Sequence, residues 1–546
     1  MTWDQNYNPL GNVVLSTAVA AFPVCFLFYL LAVRKIIAYK AAVYAFLSAI
    51  ALSLVVFRMP AALVAGAVAH GLVYAVVRIA WTVLAAVFVY ELTVETGHFR
   101  VIKESIGGIT DDRRLQVLLI AFAFGALLEG AGGGGAPVAI CGAMMVGIGF
   151  HPFEAAVLCL IANTAPVAWG GVGNPIRTLV AVTGLPEADL SAMVGRILPW
   201  TAIILPFWLV RSQVKTRETL AVWPGLLACG LAFASIQFFW SNYMDAALVD
   251  IVGGMWTMLV LSVFFRLWRP RHIWRYPSDV NLARQSKKHS WREVLHSWSP
   301  FLLLSLFVII WGMPKVKNVF DLVTLRYPVP WLHLQAVRTP PVVAASQAEP
   351  ALFDFAWFSC VGTATFLAGV IAGPILGLSL RDTLRVFVRT LYRMRFSLTA
   401  ILAMLGLGFI TRYSGMDAVM GLAMANTGWL FPLFGTLIGW LGVALTGTDA
   451  GSNALFGSLQ VITANKLGLS PVLMAAANSA GGVMGKMIDA QSIIIACAAT
   501  QQEGKEGDLF RAVLKHSIAL ALIVGLIVML YAYVFPGVVP SGHHFW

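Results

Sequence analysis

The sequence predicts an all-α polytopic membrane protein, with about 12–14 transmembrane helices in two inverted repeats that carry re-entrant hairpins and broken helices. Three observations lead there. Charged residues are 11% and hydrophobic residues 59% of the 546-residue chain, whereas charged residues make up about 25% of an average soluble domain. Apolar runs of about 20 residues, enough to cross ~30 Å of hydrocarbon as helix, recur from end to end. Two of the apolar regions are interrupted by glycine-rich stretches that hold an acid, LLEGAGGGGAPVAI (Leu127–Ile140) and LTGTDAGSNALFGSLQ (Leu445–Gln460).

The first apolar run, Asn12 to Val33, is too long for a secretory h-region and is followed by Arg34, Lys35 and Lys40, so it reads as a retained span. The net charge of +12 does not point to nucleic acid, because the basic residues fall between apolar runs, where cytoplasmic loops face anionic lipid. The bilayer is the expected surroundings. The six cysteines lie in or beside apolar segments without C-x-x-C spacing, so neither disulfides nor a metal site is expected.

Lys and Arg concentrate on the cytoplasmic side. Arg211–Arg217, the basic segment 266–296 and the arginines at 381, 385, 389, 393 and 395 are therefore assigned inside, and 314–353 becomes an external loop. On this scheme residues 1–265 form an N-terminal membrane repeat and 297–546 a C-terminal one. Ala38 to Phe57 runs outward and Ile79 to Glu95 returns, which leaves Met59 to Arg78 as an interfacial or partial span. Leu398 to Ile410 runs outward from the arginine cluster. Each repeat then holds a glycine-broken hairpin, 117–149 and 429–467, followed by a broken helix, 153–182 and 471–499. The first hairpin opens to the inside and the second to the outside. The units also match in residue types. Asn163-Thr164 and Asn174 stand at the spacing of Asn478-Ser479 and Asp489, with glycine clusters at 170–173 and 481–485 between them.

Irregular backbone at membrane depth must be buried in protein or line a wet cavity. Half-helix N-termini there present free N–H groups and partial positive charge, suited to a carboxylate. The candidate substrate-binding residues are therefore Gly133, Gly134 and Gly135 at the first tip, Asn163, Thr164, Thr448, Ser452, Asn453, Asn478 and Ser479 as short neutral hydrogen-bonding groups, and Lys486 as a cation. Glu129 and Asp449 are the acids nearest the two tips and the candidate proton carriers, since an ionisable group at membrane depth is costly to keep. Either can instead be satisfied structurally, paired with Lys486 or Arg177. Those cations can also meet a substrate carboxylate or snorkel to a surface.

Gly130, Gly132 and Gly135 match G-x-G-x-x-G, but the flanks are membrane segments rather than a strand and a βαβ unit, so a dinucleotide site fails. GGVMGKM (Gly481–Met487) lacks the spacing and the Ser or Thr of a phosphate-binding loop, and neither G-x-S-x-G nor H-E-x-x-H occurs. No enzyme and no cofactor is expected. A transporter of small anions fits the pattern, and an anion channel is the alternative.

Several longer motifs resemble the lactate permease family, which includes bacterial glycolate permeases. They are WDQNYNPLGN (Trp3–Asn12), AAVFVYELTVETGHF (Ala85–Phe99), EGAGGGGAPVAI, PFEAAVLC, CLIANTAPVAWG (Cys159–Gly170), LTGTDAGSNALFGSLQ, AANSAGGVMGKMIDAQSIIIACAA and KHS (Lys515–Ser517). The resemblance runs end to end. It implies import of small 2-hydroxy monocarboxylates (L-lactate, D-lactate or glycolate) with protons, by a multi-pass protein of the bacterial inner membrane. The chain departs from the family at three places. Gly132 and Gly134 stand where EGAAGFGAP has Ala and Phe, Asp489-Ala490 where GKMISPQS has Ser-Pro, and Asn174 and Arg177 where apolar residues are more usual. An added acid, an added cation and a lost aromatic bear on substrate size, so another small anion is the alternative substrate.

Overall fold

A computed structural model describes residues 2–34, 36–132, 136–276, 289–343, 345–502 and 504–540. The chain is almost wholly helical. Among the described residues ten helices are long and apolar enough to cross a membrane, and twelve if each of two bent pairs counts as one span.

Both glycine-interrupted regions fold back on themselves. In the first, Arg113–Gly132 is answered by Ala136–Gly147, and the Cys141 thiol donates to the Ile120 carbonyl at 3.1 Å across the two arms. The first arm is almost completely enclosed by protein, as irregular backbone at its end requires. In the second, Phe431–Thr446 is answered by Asp449–Leu467, with Ser452 Oγ donating to Gly439 O at 3.0 Å and Gln460 Nε2 to Gly435 O at 2.8 Å. A proline-started helix follows each hairpin and bends: Pro152–Ala162 against Val167–Thr183 by 62°, and Pro471–Ile488 against Gln491–Ala499 by 41°.

The two units interlock. The second half of the first broken helix packs on the second arm of the second hairpin, and the second half of the second broken helix packs on the second arm of the first. Small residues allow the close approach within the second unit. A Cβ at Gly439 would overlap the Asn478 carbonyl oxygen, and one at Gly481 the Thr436 carbonyl oxygen.

Two expectations are corrected. Met59 to Arg78 is not an interfacial piece: Ala61–Glu95 is one 35-residue helix passing through a wide π-helical turn at Ala75–Ala80. The arginines at 381–395 do not form a loop before a short span, because they occupy the first turns of Leu380–Ser414, also 35 residues. At 1.5 Å per residue such helices reach about 50 Å, well past the hydrocarbon, so charged turns extend them without breaking them. The two run antiparallel, joined by Arg389–Glu95 and Arg393–Glu91 pairs, both at 2.8 Å, near one end. Near the other, Gly71 abuts Phe409 and Gly406.

The segment after Met313 is also more ordered than a loop. A short helix, Pro314–Asp321, precedes two small sheets, in which Leu325–Pro328 pairs antiparallel with Leu352–Phe355, and Ala336–Arg338 pairs antiparallel with Gln347–Ala348. The N-terminal strand Trp3–Asp4 adds parallel to Ala336 and Val337, which ties the start of the chain to this segment.

Candidate functional site

The first break begins where Pro152–Ala162 ends. After a single turn at Val167–Trp169, Gly171, Val172 and Gly173 take positive φ of 54°, 60° and 76° in succession. Glycine adopts that region freely, but a β-branched residue there is a true outlier, and Val172 is strained. Gly173 is needed for a second reason: a Cβ there would lie 2.9 Å from the Ala246 carbonyl oxygen. Gly170 meets the first hairpin, because a Cβ on it would stand 2.8 Å from Glu129 Oε1. The acid of the hairpin lies on the bare backbone of the break.

The second unit repeats this contact. Asp449, in the first turn of the returning arm, lies over Gly482, where a Cβ would collide with Oδ1. Hairpin acid against broken-helix glycine therefore occurs in both units.

Their hydrogen bonding differs in degree: the second unit is cross-linked by side chains, although Asp449 Oδ1 and Gln460 Oε1 there are also buried without a partner. In the second unit the predicted residues are brought together and largely satisfy one another. Asp449 Oδ2 accepts from Ser479 Oγ and, at 3.4 Å, from Asn453 Nδ2. Asn453 Nδ2 also donates to Pro175 O of the first broken helix at 3.1 Å, and its Oδ1 accepts from Asn478 Nδ2 at 2.9 Å. Asn478 Oδ1 accepts from Gln460 Nε2 at 3.1 Å. Ser452 and Thr448 serve backbone, Thr448 as the N-cap that accepts from Gly451 N at 2.9 Å.

Lys486 is buried at the second break. Its Nζ donates to Gly447 O at 2.7 Å and lies 3.1 Å from Asp489 Oδ2, while Asp489 Oδ1 caps the next half-helix through Ser492 N at 2.8 Å. Lys486 is thus paired with neither Glu129 nor Asp449, although Glu129 lies within its electrostatic reach. Arg177 is also committed elsewhere, to Glu187 and Asp245 (3.3 Å each) and to Val172 O at 2.7 Å.

At the first break the polar groups remain unspent. Glu129 Oε2, both amide atoms of Asn163 and both carboxyl oxygens of Asp250 are buried without a hydrogen-bond partner. Relative exposures of 3%, 2% and 0% keep them from bulk solvent. Buried polar atoms in folded proteins are nearly always paired, so five orphans in one place mark a site that something else completes. Thr164 does not join them, because its hydroxyl donates to Ile161 O at 2.8 Å. Gly133, Gly134 and Gly135 lie outside the described residues.

Sequence reasoning missed two members, Asp250 and Gln460, and noted Asp489 as an added acid without its pairing to Lys486. Asp250 is an acid in the first turn of the apolar helix Val249–Leu267, a signal that an intramembrane acid always carries. Gln460 reads as an ordinary polar residue in a glycine-rich arm. Asp489 stands three residues after Lys486, the helical spacing of an ion pair. Among the described residues no group of three or more His, Cys, Asp or Glu is placed to hold a metal ion.

Comparison with known proteins agrees with a permease rather than an enzyme. The chain is 42% identical to the glycolate permease GlcA of Escherichia coli (strain K12), covering 99% of this chain and 100% of that one. It is 42% identical to the L-lactate permease of the same strain, over 98% and 100%, and 39% identical to that of Bacillus subtilis (strain 168), over 99% and 100%. The profile of the L-lactate permease family matches residues 16–535. The chain is therefore a multi-pass membrane protein that belongs to the L-lactate permease family.

Proposed function

We propose that the chain imports small 2-hydroxy monocarboxylates, L-lactate, D-lactate and glycolate, by proton symport across the bacterial inner membrane. The names of its relatives supply the substrate class. The observation that carries the mechanism is the set of unpaired buried groups at the first break, Glu129, Asn163 and Asp250. A hydroxy acid brings a carboxylate that needs donors and a hydroxyl that needs both a donor and an acceptor, and the Asn163 amide offers both. A proton needs a carboxylate with a free oxygen; Glu129 Oε2 and Asp449 Oδ1 are both free, and Glu129 is the one beside the Asn163 amide. Substrate and proton together cross without net charge, which removes most of the electrostatic cost of entering hydrocarbon.

The repeated acid-on-glycine contact and the reciprocal packing of the two units support an inverted-repeat carrier. In that reading the helices Gly170–Thr183 and Ala490–Ala499 begin at the breaks, and Asp449–Leu467 begins at a tip, so their positive ends favour an anion. The second unit is the closed partner, held by Asp449, Asn453, Asn478 and Ser479. Basic segments on the cytoplasmic side set the first hairpin facing inward and the second outward.

The test is uptake of radiolabelled L-lactate, D-lactate and glycolate into proteoliposomes, with and without an imposed inward proton gradient. Accumulation above equilibrium only with the gradient, with mutual competition, is the expected result. Downhill equilibration that no proton gradient can concentrate would replace the carrier with a channel. Uptake of none of the three would move the chain to another anion.

A further inference from the structure

The helix that starts at Val249 approaches the first break more closely than ordinary packing permits. Its leading turn presses on two glycines in two different elements. Ala246 O and Ala247 Cα would stand 2.9 and 3.1 Å from a Cβ at Gly173 of the break, and Ile251 N and Asp250 Cβ 2.7 and 2.9 Å from one at Gly130 of the hairpin arm. Gly130 adjoins Glu129, so this approach brings the Asp250 carboxyl within electrostatic reach of the Glu129 carboxyl, with the Trp169 backbone also near it.

Ordinary structural duties do not account for Asp250. The cap at this helix start is made by Asp245, whose Oδ1 accepts from Ala247 N at 2.7 Å. Asp245 also takes the nearby cation, Arg177, together with Glu187. Behind Glu129 stand Lys486 and Asp489, already joined to each other. Asp250 is left fully buried, with no side-chain partner for either oxygen, only the Trp169 backbone close by, and an acid as its charged neighbour. Two carboxylates enclosed within reach of each other repel, and one proton held between them removes both the repulsion and half the desolvation cost.

We infer that Asp250 is a second proton-handling residue of the transport cycle, sharing one proton with Glu129 across the Gly130 contact. The inference rests on the proton-symport reading above and adds to it where the proton waits. The transfer is an exchange of one O–H bond: a carboxyl oxygen of Asp250 gives up the proton as one of Glu129 accepts it, and the negative charge moves the other way. Glu129, beside the Asn163 amide and Gly170, exchanges the proton with the substrate site, while Asp250 keeps the pair from being doubly charged when the site is empty.

The experiment uses the full chain in proteoliposomes, wild type and D250N, with radiolabelled L-lactate. Two rates are read, counterflow at equal pH on both sides and accumulation driven by an inward proton gradient, together with the infrared band of protonated carboxyls. D250N is expected to lose on the order of tenfold or more of its gradient-driven accumulation, because proton-transfer groups contribute at least that much. Its accumulation should fall by a larger factor than its counterflow, which needs no net proton movement, and it should lose one protonated-carboxyl band. Unchanged accumulation and an unchanged band in D250N, alongside loss of accumulation in E129Q, would overturn the inference and leave the symport reading intact. A wild type without gradient stimulation would overturn both. Should D250N fail to fold, D250E keeps a carboxyl in place and decides the point. In protein labelled with carbon-13 at aspartate carboxyls, the substitution should remove a labelled protonated-carboxyl band, and persistence of every labelled band would overturn the assignment.

Discussion

Gly170→Ala tests the acid-on-glycine contact with a single methyl group. Gly170 has φ −56° and ψ 153°, a conformation open to any residue, so alanine carries no backbone penalty there. Its Cβ would meet one side chain, that of Glu129, at 2.8 Å from Oε1, 3.3 Å from Cγ and 3.4 Å from Cδ. Ordinary contact begins near 3.4 Å, so the carboxyl must retreat by about 0.6 Å. Overpacking costs about 1–3 kcal/mol, and the low end applies because the yielding atoms are the free end of a flexible chain. Function should suffer more than stability. A misplacement of ~1 Å at a reacting group can cost about a hundredfold, so ~0.6 Å predicts on the order of a tenfold loss in gradient-driven uptake. Gly439→Ala is the contrasting case, since its Cβ would overlap a backbone carbonyl oxygen that cannot swing away, and the expected result is loss of folded protein. The assays are proteoliposome uptake and the thermal unfolding midpoint of the purified protein. Wild-type uptake in a well-folded Gly170→Ala protein would refute the idea that the position of Glu129 against the break matters for coupling.

Lys486→Met should destabilise the protein by about 3–5 kcal/mol, because it leaves Asp489 buried without its counter-charge, and Lys486→Met combined with Asp489→Asn should recover most of that. Equal thermal midpoints for the single and double variants would show that the two residues are not coupled. Glu349, outside the spans, is pushed up by burial, but Arg412 and Arg338 outweigh this and hold its carboxyl below the usual carboxylate range. Its folded value is below the unfolded one of about 4.3, so its stabilisation is complete above that pH and is lost as pH falls through the folded value. Glu349→Gln should lower the thermal midpoint at neutral pH, with a difference from wild type that shrinks below about pH 4. A difference that is independent of pH would remove the ion pairs from the explanation.

The fold was legible wherever hydrocarbon thickness does the arithmetic. Span length, the glycine interruptions and the bends after Pro152 and Pro471 all follow from rules that leave backbone in lipid few options. Legibility failed at charges inside helices. Arg78 and the arginines from 381 to 395 read as boundaries, yet a helix can run past the bilayer, and its arginines pair with acids on a neighbour, as Arg389 and Arg393 do with Glu95 and Glu91. At the site, an acid beside a glycine-rich tip was visible, because both features sit in one short stretch. The partners that decide each role come from elsewhere in the chain. Nothing local shows that Arg177 is held by Glu187 and Asp245, or that Asn453 reaches Pro175 O. Asp250 shows the limit, since its meaning depends on two glycines in two other elements.

The two units share residue types but differ in how far their side chains bond one another, and this difference has a mechanical meaning if they are inverted repeats. Asp449, Asn453, Asn478 and Ser479 bond one another, so substrate could enter that unit only by breaking the network. Glu129 Oε2, the Asn163 amide and the Asp250 carboxyl make no hydrogen bond of ordinary geometry, so substrate could enter their unit without breaking a network. Net hydrogen bonds in folded proteins contribute about 0.5–1.5 kcal/mol each, while leaving buried groups unpaired costs about 1–3 kcal/mol each. A unit with orphaned groups is therefore held in place by the rest of the protein, and the interlocked packing of the two units is the means at hand. Substrate binding would relieve that strain at the first break and weaken the reason for the second unit to stay closed. Coupling between the sites then follows from which unit's polar groups are satisfied at a given moment, through the Asn453–Pro175 contact that joins them.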